Sequence, residues 1–203
     1  MTDQPSSHDH TPMTEEEIKA SWTVEPPRLD GPITLVDPDP AWPDAFQRES
    51  ERIQRVLGPA VVRLEHTGST SVPGLAAKPI IDMLLVVADS GDETIYVPAM
   101  EAAGYRLVIR EPDWHEHRVL KGPDTNVNLH VLSAGDSEID RILDFRDWLR
   151  THDEDRAWYE RTKRELAAQS WAYVQNYADA KTAVVEAIID RAAKARSSVP
   201  ADG

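Results

Sequence analysis

A polar turn and an acidic residue in the first half of the chain have the residue types and spacing of a phosphate or metal site. The turn Gly68, Ser69 and Thr70 follows an apolar segment, and Asp82 interrupts the apolar run at residues 80–85. Glycine lets the backbone approach a ligand closely, and hydroxyl groups beside free amides suit phosphate oxygens. An unpaired buried carboxylate is costly, so Asp82 must meet a metal ion, a cation or hydrogen-bond donors. The alternative is an aspartate that only caps a neighbouring turn.

Three cationic side chains fall on the apolar faces of predicted helices in the second half of the chain. Arg146 lies within an apolar stripe, Lys163 shares a helix face with Tyr159, and Lys181 shares one with Tyr177. A buried charge without a partner is expensive, so three such cations call for an anion. If they converge near the polar turn, they form a clamp for a triphosphate or a site for a carboxylate. The alternative is that each cation extends to water or pairs with a structural acid.

Two histidines flank a predicted β-hairpin. Strands on either side of the turn at residues 122–124 would pair and bring His117 and His130 together. Either imidazole suits acid–base chemistry or phosphate binding, and a hydrogen-bonded structural histidine is the alternative. Asp113, His115 and His117 alternate, so with His130 they would form a metal site if they lie on one strand. A loop at this position would break their common face.

Lys78 and Trp114 are weaker candidates for ligand contacts. Lys78 precedes the strand that holds Asp82, so its ammonium would lie beside the polar turn or merely mark the start of the strand. Trp114 lies in a polar stretch and would stack on a nucleotide base, although core and interface packing are the commoner roles of tryptophan.

The residues from His66 to Asp82, HTGSTSVPGLAAKPIID, resemble the signature of GrpB-family proteins. The similarity extends over about residues 32–190, through His117-Arg118, Asn128–Val131, Phe145–Arg150, Tyr159 with Lys163, and Tyr177 with Lys181. The family resembles the nucleotidyltransferase superfamily, in which a Gly-Ser turn holds nucleotide phosphates and Asp-x-Asp acids hold two Mg²⁺ ions. Family members also occur fused to dephospho-CoA kinase, where the domain is described as an aid to folding.

This resemblance assigns roles to particular residues. It implies that Asp82, His117 and His130 are catalytic and that Asp82 holds Mg²⁺. It implies a nucleotide- or substrate-binding role for Gly68, Ser69, Thr70, Lys78, Asn128, Arg146, Lys163 and Lys181.

The sequence departs from the superfamily pattern at its acids. Leu84 stands where the second acid of Asp-x-Asp is expected, and the later strand offers Asn128 and His130 in place of a third acid. Two-metal chemistry needs enough negative ligands to hold two dications close together. One clear carboxylate supports one metal at best, with Glu65 a weak second candidate. The departure argues against standard two-metal nucleotidyl transfer.

Three functions remain as hypotheses. The first is an enzyme that binds ATP or another NTP with Mg²⁺ and transfers a nucleotidyl group to a small-molecule acceptor, or adenylates a carboxylate for ligation. The second is a noncatalytic binding or folding-accessory domain with a protein partner. The third and weakest is a one-metal hydrolase that uses Asp82, His117 and His130.

The elements that must position these residues form an α/β (α+β) pattern, interpreted as a nucleotidyltransferase-like mixed β-sheet flanked by helices with a helical C-terminal cap. The patterns predict strands at 33–36, 61–66, 79–87, 105–109, 117–121 and 126–132. They predict helices from 42 to 57, 94 to 103, 138 to 151, 155 to 168 and 171 to 195, with one further helical turn at 15–20.

The domain prediction is a single folded domain at residues 31–196, with an α/β core at 31–136 and C-terminal helices at 137–196. Proline-rich, aperiodic residues 1–30 are predicted to be a disordered arm, and 197–203 a disordered tail.

Charge and composition exclude several classes of partner. The net charge of −14 makes nonspecific nucleic-acid binding unfavourable, because affinity for nucleic acid depends on neutralising phosphates. No apolar run approaches the roughly 20 residues that span a bilayer, so no membrane association is expected. The chain has no cysteine and no signal-peptide pattern, which predicts a cytoplasmic protein without thiolate chemistry.

Overall fold

The computed structural model of the protein describes residues 11–198. In chain order its helices and strands are α1 (Glu15–Ser21), β1 (Arg28–Gly31), α2 (Trp42–Leu57), β2 (Arg63–Thr67), β3 (Ile81–Val87), α3 (Val97–Ala102), β4 (Arg106–Glu111), β5 (His117–Lys121), β6 (Val127–Ser133), α4 (Ser137–Thr151), α5 (Asp153–Ala167), β7 (Trp171–Tyr173), α6 (Val174–Asp179) and α7 (Thr182–Ser198).

A five-stranded mixed sheet forms the centre of the fold, which confirms the predicted α/β class. Its strand order is β2-β3-β6-β5-β4, with β3 and β6 parallel and the other neighbours antiparallel. The β5–β6 hairpin closes at the turn predicted for residues 122–124. A second sheet pairs β1 with β7.

Strand β3 is apolar along its length because helices cover both of its faces. Met83 and Leu85 belong to the core that α2 and α3 share with the sheet. Leu84 and Val86 face the opposite way and pack against α4. Such two-sided burial produces a continuous apolar run instead of alternation. Side chains two residues apart on a strand face the same side of the sheet. Asp82, two residues before Leu84, therefore lies on the side that α4 covers.

Helix α2 forms where the sequence predicts it. Its buried residues Trp42, Ile53 and Leu57 fall on one side at helical spacing, and Pro43 occupies the first turn, where a missing N–H costs nothing. The helix ends at Gly58, which has a positive φ of 50° that few other residues adopt without strain.

The predicted disorder of the N-terminal arm is wrong over residues 11–30, whereas the helical turn predicted at 15–20 is present as α1. Thr14 caps α1 in a reciprocal capping box with Glu17, and Ile18 is 1% exposed. Strand β1 pairs with β7, 140 residues away in the chain, a partner that local composition cannot reveal. Residues 1–10 of the predicted arm and 199–203 of the predicted tail lie outside the described residues.

Three further elements differ from the predictions. In place of a strand at 33–36 there is one bridge, between Val36 and Ala77. The helix predicted at 94–103 begins only at Val97, after a single turn of 3₁₀ helix. The helix predicted at 171–195 is divided because the aromatic stretch Trp171–Tyr173 favours the extended conformation and pairs with β1. Within residues 11–198, no helix combines the length and apolar character that crossing a bilayer requires.

Candidate functional site

Two adjoining cavities lie at the end of β3 where Asp82 stands. The smaller, about 120 Å³, is called the lysine pocket here because Lys78, Lys163 and Lys181 line it together with Ser69 and Asp82. The larger, about 370 Å³, is called the arm pocket because residues of the 11–30 segment form part of its wall. The two cavities lie side by side, and both are lined by Lys78, Ile80, Asp82, Asn128 and Lys181.

Strand register places the polar side chains of this site on one face of the sheet. Asp82 on β3 pairs with Asn128 on β6, which in turn pairs with Lys121 on β5. His130 lies two residues along β6 and so faces the same side. These four side chains form a row across three strands, on the side of the sheet that α4 covers.

Gly68 is held against Asp82 so closely that only glycine fits. A Cβ atom at residue 68 would lie 2.3 Å from Oδ2 of Asp82 and 2.8 Å from its Cβ. Gly68 also has a φ of 64°, which disfavours any side chain. The predicted turn therefore exists, and its glycine fixes the position of the carboxylate.

The Thr70 hydroxyl is occupied within the protein. It donates to the carbonyl of Ile80 at 3.2 Å and contacts Nε2 of His66 at 3.0 Å. Burial, with repulsion from Arg150, lowers the pKa of His66 to about 4, so this imidazole is neutral. Thr70 thus ties the turn to the start of β3, and its side chain is not available to a phosphate. Sequence reasoning assigned no role to His66, although it immediately precedes the turn.

Lys163 reaches from α5 to the polar turn. Its ammonium donates to Oγ of Ser69 at 3.0 Å and to the carbonyl oxygen of Ala76, and it lies 4.8 Å from the ring centre of Tyr159. The residue is 2% exposed. Burial and repulsion from Lys181 lower the pKa of Lys163 to about 7. The predicted convergence of this cation on the turn is present in the structure.

Two more ammonium groups lie near the ring of Tyr177. Lys181 is 4.5 Å and Lys78 5.7 Å from the ring centre, close enough for cation–π attraction. Burial lowers the pKa of each lysine to about 8, and mutual repulsion adds to the effect at Lys78. Among the described residues, the Tyr177 hydroxyl is the one buried side-chain polar atom without a hydrogen-bond partner. Tyr177 also lines the lysine pocket.

Asp82 lies at one end of a hydrogen-bonded row. Nδ2 of Asn128 donates to Oδ1 of Asp82 at 2.7 Å, and Nζ of Lys121 donates to Oδ1 of Asn128. Nε2 of His130 lies 4.0 Å from Oδ1 of Asp82. Lys121 was not predicted as a site residue, yet its register opposite Asn128 in the predicted hairpin is the signal that identifies it.

His117 and His130 meet as the hairpin predicts. Nε2 of His117 lies 3.0 Å from Nδ1 of His130, and Nδ1 of His117 lies 2.7 Å from Oε2 of Glu111 on β4. The alternating metal set does not form, because His115 lies in a turn with a φ of 55° and pairs with Asp136 at 2.8 Å.

Arg146 does not converge with Lys163 and Lys181. Its guanidinium donates to Glu65 at 2.7 Å, to the His66 carbonyl at 3.0 Å and to both carboxylate oxygens of Asp147. It lines a separate surface groove, and not the two pockets described here. Arg146 therefore forms an ion pair with a structural acid, which is the alternative that the sequence analysis leaves open. Its partner Glu65 is not a ligand of this site. Trp114 is 47% exposed and lines neither pocket, so the structure does not place it beside this site.

The donor set does not suit a pair of Mg²⁺ ions. Within residues 11–198, no three His, Asp or Glu side chains lie close enough together to hold a metal. Oδ1 of Asp82 already accepts from Asn128, and the charged side chains around it are Lys78, Lys121 and Lys181. A second dication would face ammonium groups instead of carboxylates, which is electrostatically unfavourable.

Comparison with known proteins assigns the family. The model of the family described as "GrpB protein" matches residues 32–191. The chain belongs to the GrpB family. The UPF0157 protein BH1888 of Halalkalibacterium halodurans is 58% identical over 92% of this chain and 95% of that protein. A dephospho-CoA kinase of Mycolicibacterium paratuberculosis is 28% identical over 74% of this chain and 43% of its own length.

A solved structure supports the same assignment. The conserved protein GrpB from Enterococcus faecalis superposes with a TM-score of 0.71 at 29% identity, over 81% of this chain and 99% of that one. The family resemblance inferred from the His66–Asp82 stretch is thereby confirmed.

Proposed function

We propose that this GrpB-family protein binds a nucleoside polyphosphate in the two adjoining pockets and transfers its nucleotidyl group to a small-molecule acceptor. The observation that carries the proposal is the convergence of Lys78, Lys163 and Lys181 on Ser69 and Asp82. Burial lowers the pKa of all three lysines, and a bound anion would favour their charged forms.

The chemistry of the lysine pocket favours a phosphate over other anions. Of the described residues lining the two pockets, Asp82 alone is a carboxylate, while Lys78, Lys121, Lys163 and Lys181 are cations. Three or four ammonium groups match the charge of a diphosphate or triphosphate better than that of a monocarboxylate. The ammonium groups then take the place that Mg²⁺ ions fill in two-metal enzymes, where they neutralise phosphoryl oxygens.

The arm pocket has the size and wall chemistry for the organic part of the ligand. Its volume of about 370 Å³ falls in the usual range of small-molecule sites. Ile18, Trp22, Pro26 and Val108 contribute an apolar wall opposite the polar row of Asp82 and His130. A ligand with a charged end and a flat or apolar end therefore fits both compartments at once.

Calorimetric titration tests the proposal with ATP, CTP, dephospho-CoA and inorganic triphosphate as ligands. We expect binding of at least one nucleotide, with Kd raised about tenfold or more by Lys181→Met because a charge-assisted contact is lost. Lys194→Met, which removes an exposed lysine from α7, the helix that begins directly after Lys181, is the matched control and should leave Kd unchanged. Folded protein that binds none of these ligands would contradict the proposal.

A second candidate is a noncatalytic domain that binds a nucleotide-containing molecule. The single carboxylate of the site favours it, as does the similarity to part of a dephospho-CoA kinase, since dephospho-CoA is itself a nucleoside pyrophosphate. This candidate predicts tight binding of dephospho-CoA or ATP with no release of pyrophosphate in the presence of any acceptor. The transferase proposal predicts pyrophosphate release in a coupled assay once acceptor is present.

A further inference from the structure

A line of three side chains runs from the edge of the sheet to the arm pocket. Glu111 on β4 contacts Nδ1 of His117 at 2.7 Å, and Nε2 of His117 contacts Nδ1 of His130 at 3.0 Å. The two imidazole rings are nearly parallel, 13° apart, with centres 5.2 Å from each other. His117 is buried, whereas His130 lines the arm pocket.

The carboxylate at one end of this line fixes the proton positions along it. A carboxylate only accepts, so His117 donates from Nδ1 to Glu111. A neutral His117 then has an unprotonated Nε2, which accepts the Nδ1 proton of His130. His130 in turn has no proton on Nε2, the nitrogen 4.0 Å from Oδ1 of Asp82. The lone pair of His130 is therefore on Nε2, at the arm pocket.

We propose that Glu111, His117 and His130 form a proton relay in which Nε2 of His130 is the base that activates the acceptor. This inference rests on the proposed function for the identity of the reaction. Nε2 takes the proton of an acceptor hydroxyl, and His130 passes its Nδ1 proton to Nε2 of His117, whose imidazolium is paired with Glu111. The acceptor oxygen bonds to the α-phosphorus, the bond from that phosphorus to the pyrophosphate oxygen breaks, and pyrophosphate leaves.

The relay identifies the chemical class of the acceptor. A carboxylate is ionised at neutral pH and needs no base before it attacks phosphorus, whereas a hydroxyl group does. The presence of an oriented base therefore favours a hydroxyl-bearing acceptor over carboxylate adenylation. Asp82, beside His130, would hold the hydroxyl in line.

The surroundings of His130 keep it neutral before reaction. The charged and titratable groups that face it are His117, Asp82, Lys121 and Glu111. Burial lowers the pKa of His130 to about 4 against the opposing effect of Asp82. A neutral imidazole at pH 7 is the form that the relay requires.

Nitrogen NMR of protein labelled with ¹⁵N-histidine tests the relay without an acceptor. At pH 7.5 we expect His130 to be protonated on Nδ1 and unprotonated on Nε2, with its signals assigned by their absence in His130→Gln. Glu111→Leu removes the acceptor at the far end and should shift His130 toward the Nε2-protonated form. A wild-type His130 that is protonated on Nε2 overturns the relay, whatever the protein binds.

Two controls separate this inference from the proposed function. ATP titration of wild type tests nucleotide binding alone, and Glu111→Leu should retain that binding because Glu111 lines neither pocket. Incubation with ATP, a panel of carboxylic acids and hydroxylamine tests the acceptor class. We expect no hydroxamate, and hydroxamate formation with pyrophosphate release would overturn the hydroxyl assignment.

Discussion

The ammonium of Lys163 donates a hydrogen bond to Oγ of Ser69 at 3.0 Å, joining α5 to the turn after β2 across 94 residues of sequence. Lys163 is nearly inaccessible to water, yet its partners there are a hydroxyl and a carbonyl and not a carboxylate. Burial of a cation without an anionic partner costs desolvation free energy, so stability alone does not account for this arrangement. The proposed phosphate ligand would supply the missing negative charge.

Lys163→Met should change how stability depends on pH. The pKa of Lys163 is about 7 when folded against an ordinary value of 10.5, so between pH 7 and 10 the unfolded wild type binds more protons than the folded protein. Wild-type stability therefore rises with pH through this window. The rise should exceed that of Lys163→Met by on the order of 3 kcal/mol in urea titrations. Lys194→Met is the exposed control, and an identical pH profile for wild type and Lys163→Met would contradict the prediction.

Gly68→Ala should displace Asp82. The new methyl group would lie 2.3 Å from Oδ2 of Asp82, in a backbone conformation with positive φ. We expect a loss of about 2–4 kcal/mol in the free energy of unfolding, from backbone strain and overpacking together. Gly74→Ala is the matched control, since Gly74 has a φ of 77° and no atom within 4 Å of the added Cβ. Equal losses in the two variants would mean that contact with Asp82 is unimportant.

Asp82→Asn should strengthen anion binding while it abolishes transfer. Asp82 is the one carboxylate among the described cavity residues, and it repels a phosphate that Lys78 and Lys181 attract. We expect the Kd for ATP in EDTA to fall several-fold in calorimetry. If Asp82 instead held a metal ion for the nucleotide, the variant would bind ATP more weakly in Mg²⁺.

Arg146→Met should damage stability and leave ligand binding intact. Its buried guanidinium pairs with Glu65, and removal of one partner from a buried pair costs about 3–5 kcal/mol. Arg63→Met removes the exposed partner of the same Glu65 and should cost less than about 1 kcal/mol. The Kd for ATP should stay within about twofold of wild type in both. A large rise in Kd for Arg146→Met alone would return Arg146 to the phosphate clamp.

The sequence predicts the sheet because its strands carry local signals. The apolar run of β3, the β5–β6 hairpin and the amphipathic α2 each follow from residue spacing within one element. The sequence identifies Lys163 and Lys181 as candidate site residues because a cation on the apolar face of a predicted helix calls for a partner. That signal lies within one helix and does not depend on the rest of the fold.

The rest of the site depends on contacts between distant segments. Arg146 carries the same local signal as Lys163, but its helix presents it to Glu65 on β2, and no pattern within the helix specifies that partner. The arm pocket needs α1 and the β1–β7 pair, whose residues lie at opposite ends of the chain. Glu111 joins the histidine relay only through its register opposite His117 on β4 and β5.

The most direct test of a site built from lysines is the metal dependence of nucleotide binding. ATP should be titrated calorimetrically into wild type and Lys163→Met, once in EDTA and once in excess Mg²⁺. We predict that wild type binds ATP in EDTA at least as tightly as in Mg²⁺, and that Lys163→Met weakens binding in both. Binding that appears only with Mg²⁺ and is unaffected by Lys163→Met would contradict the proposal that ammonium groups neutralise the phosphates.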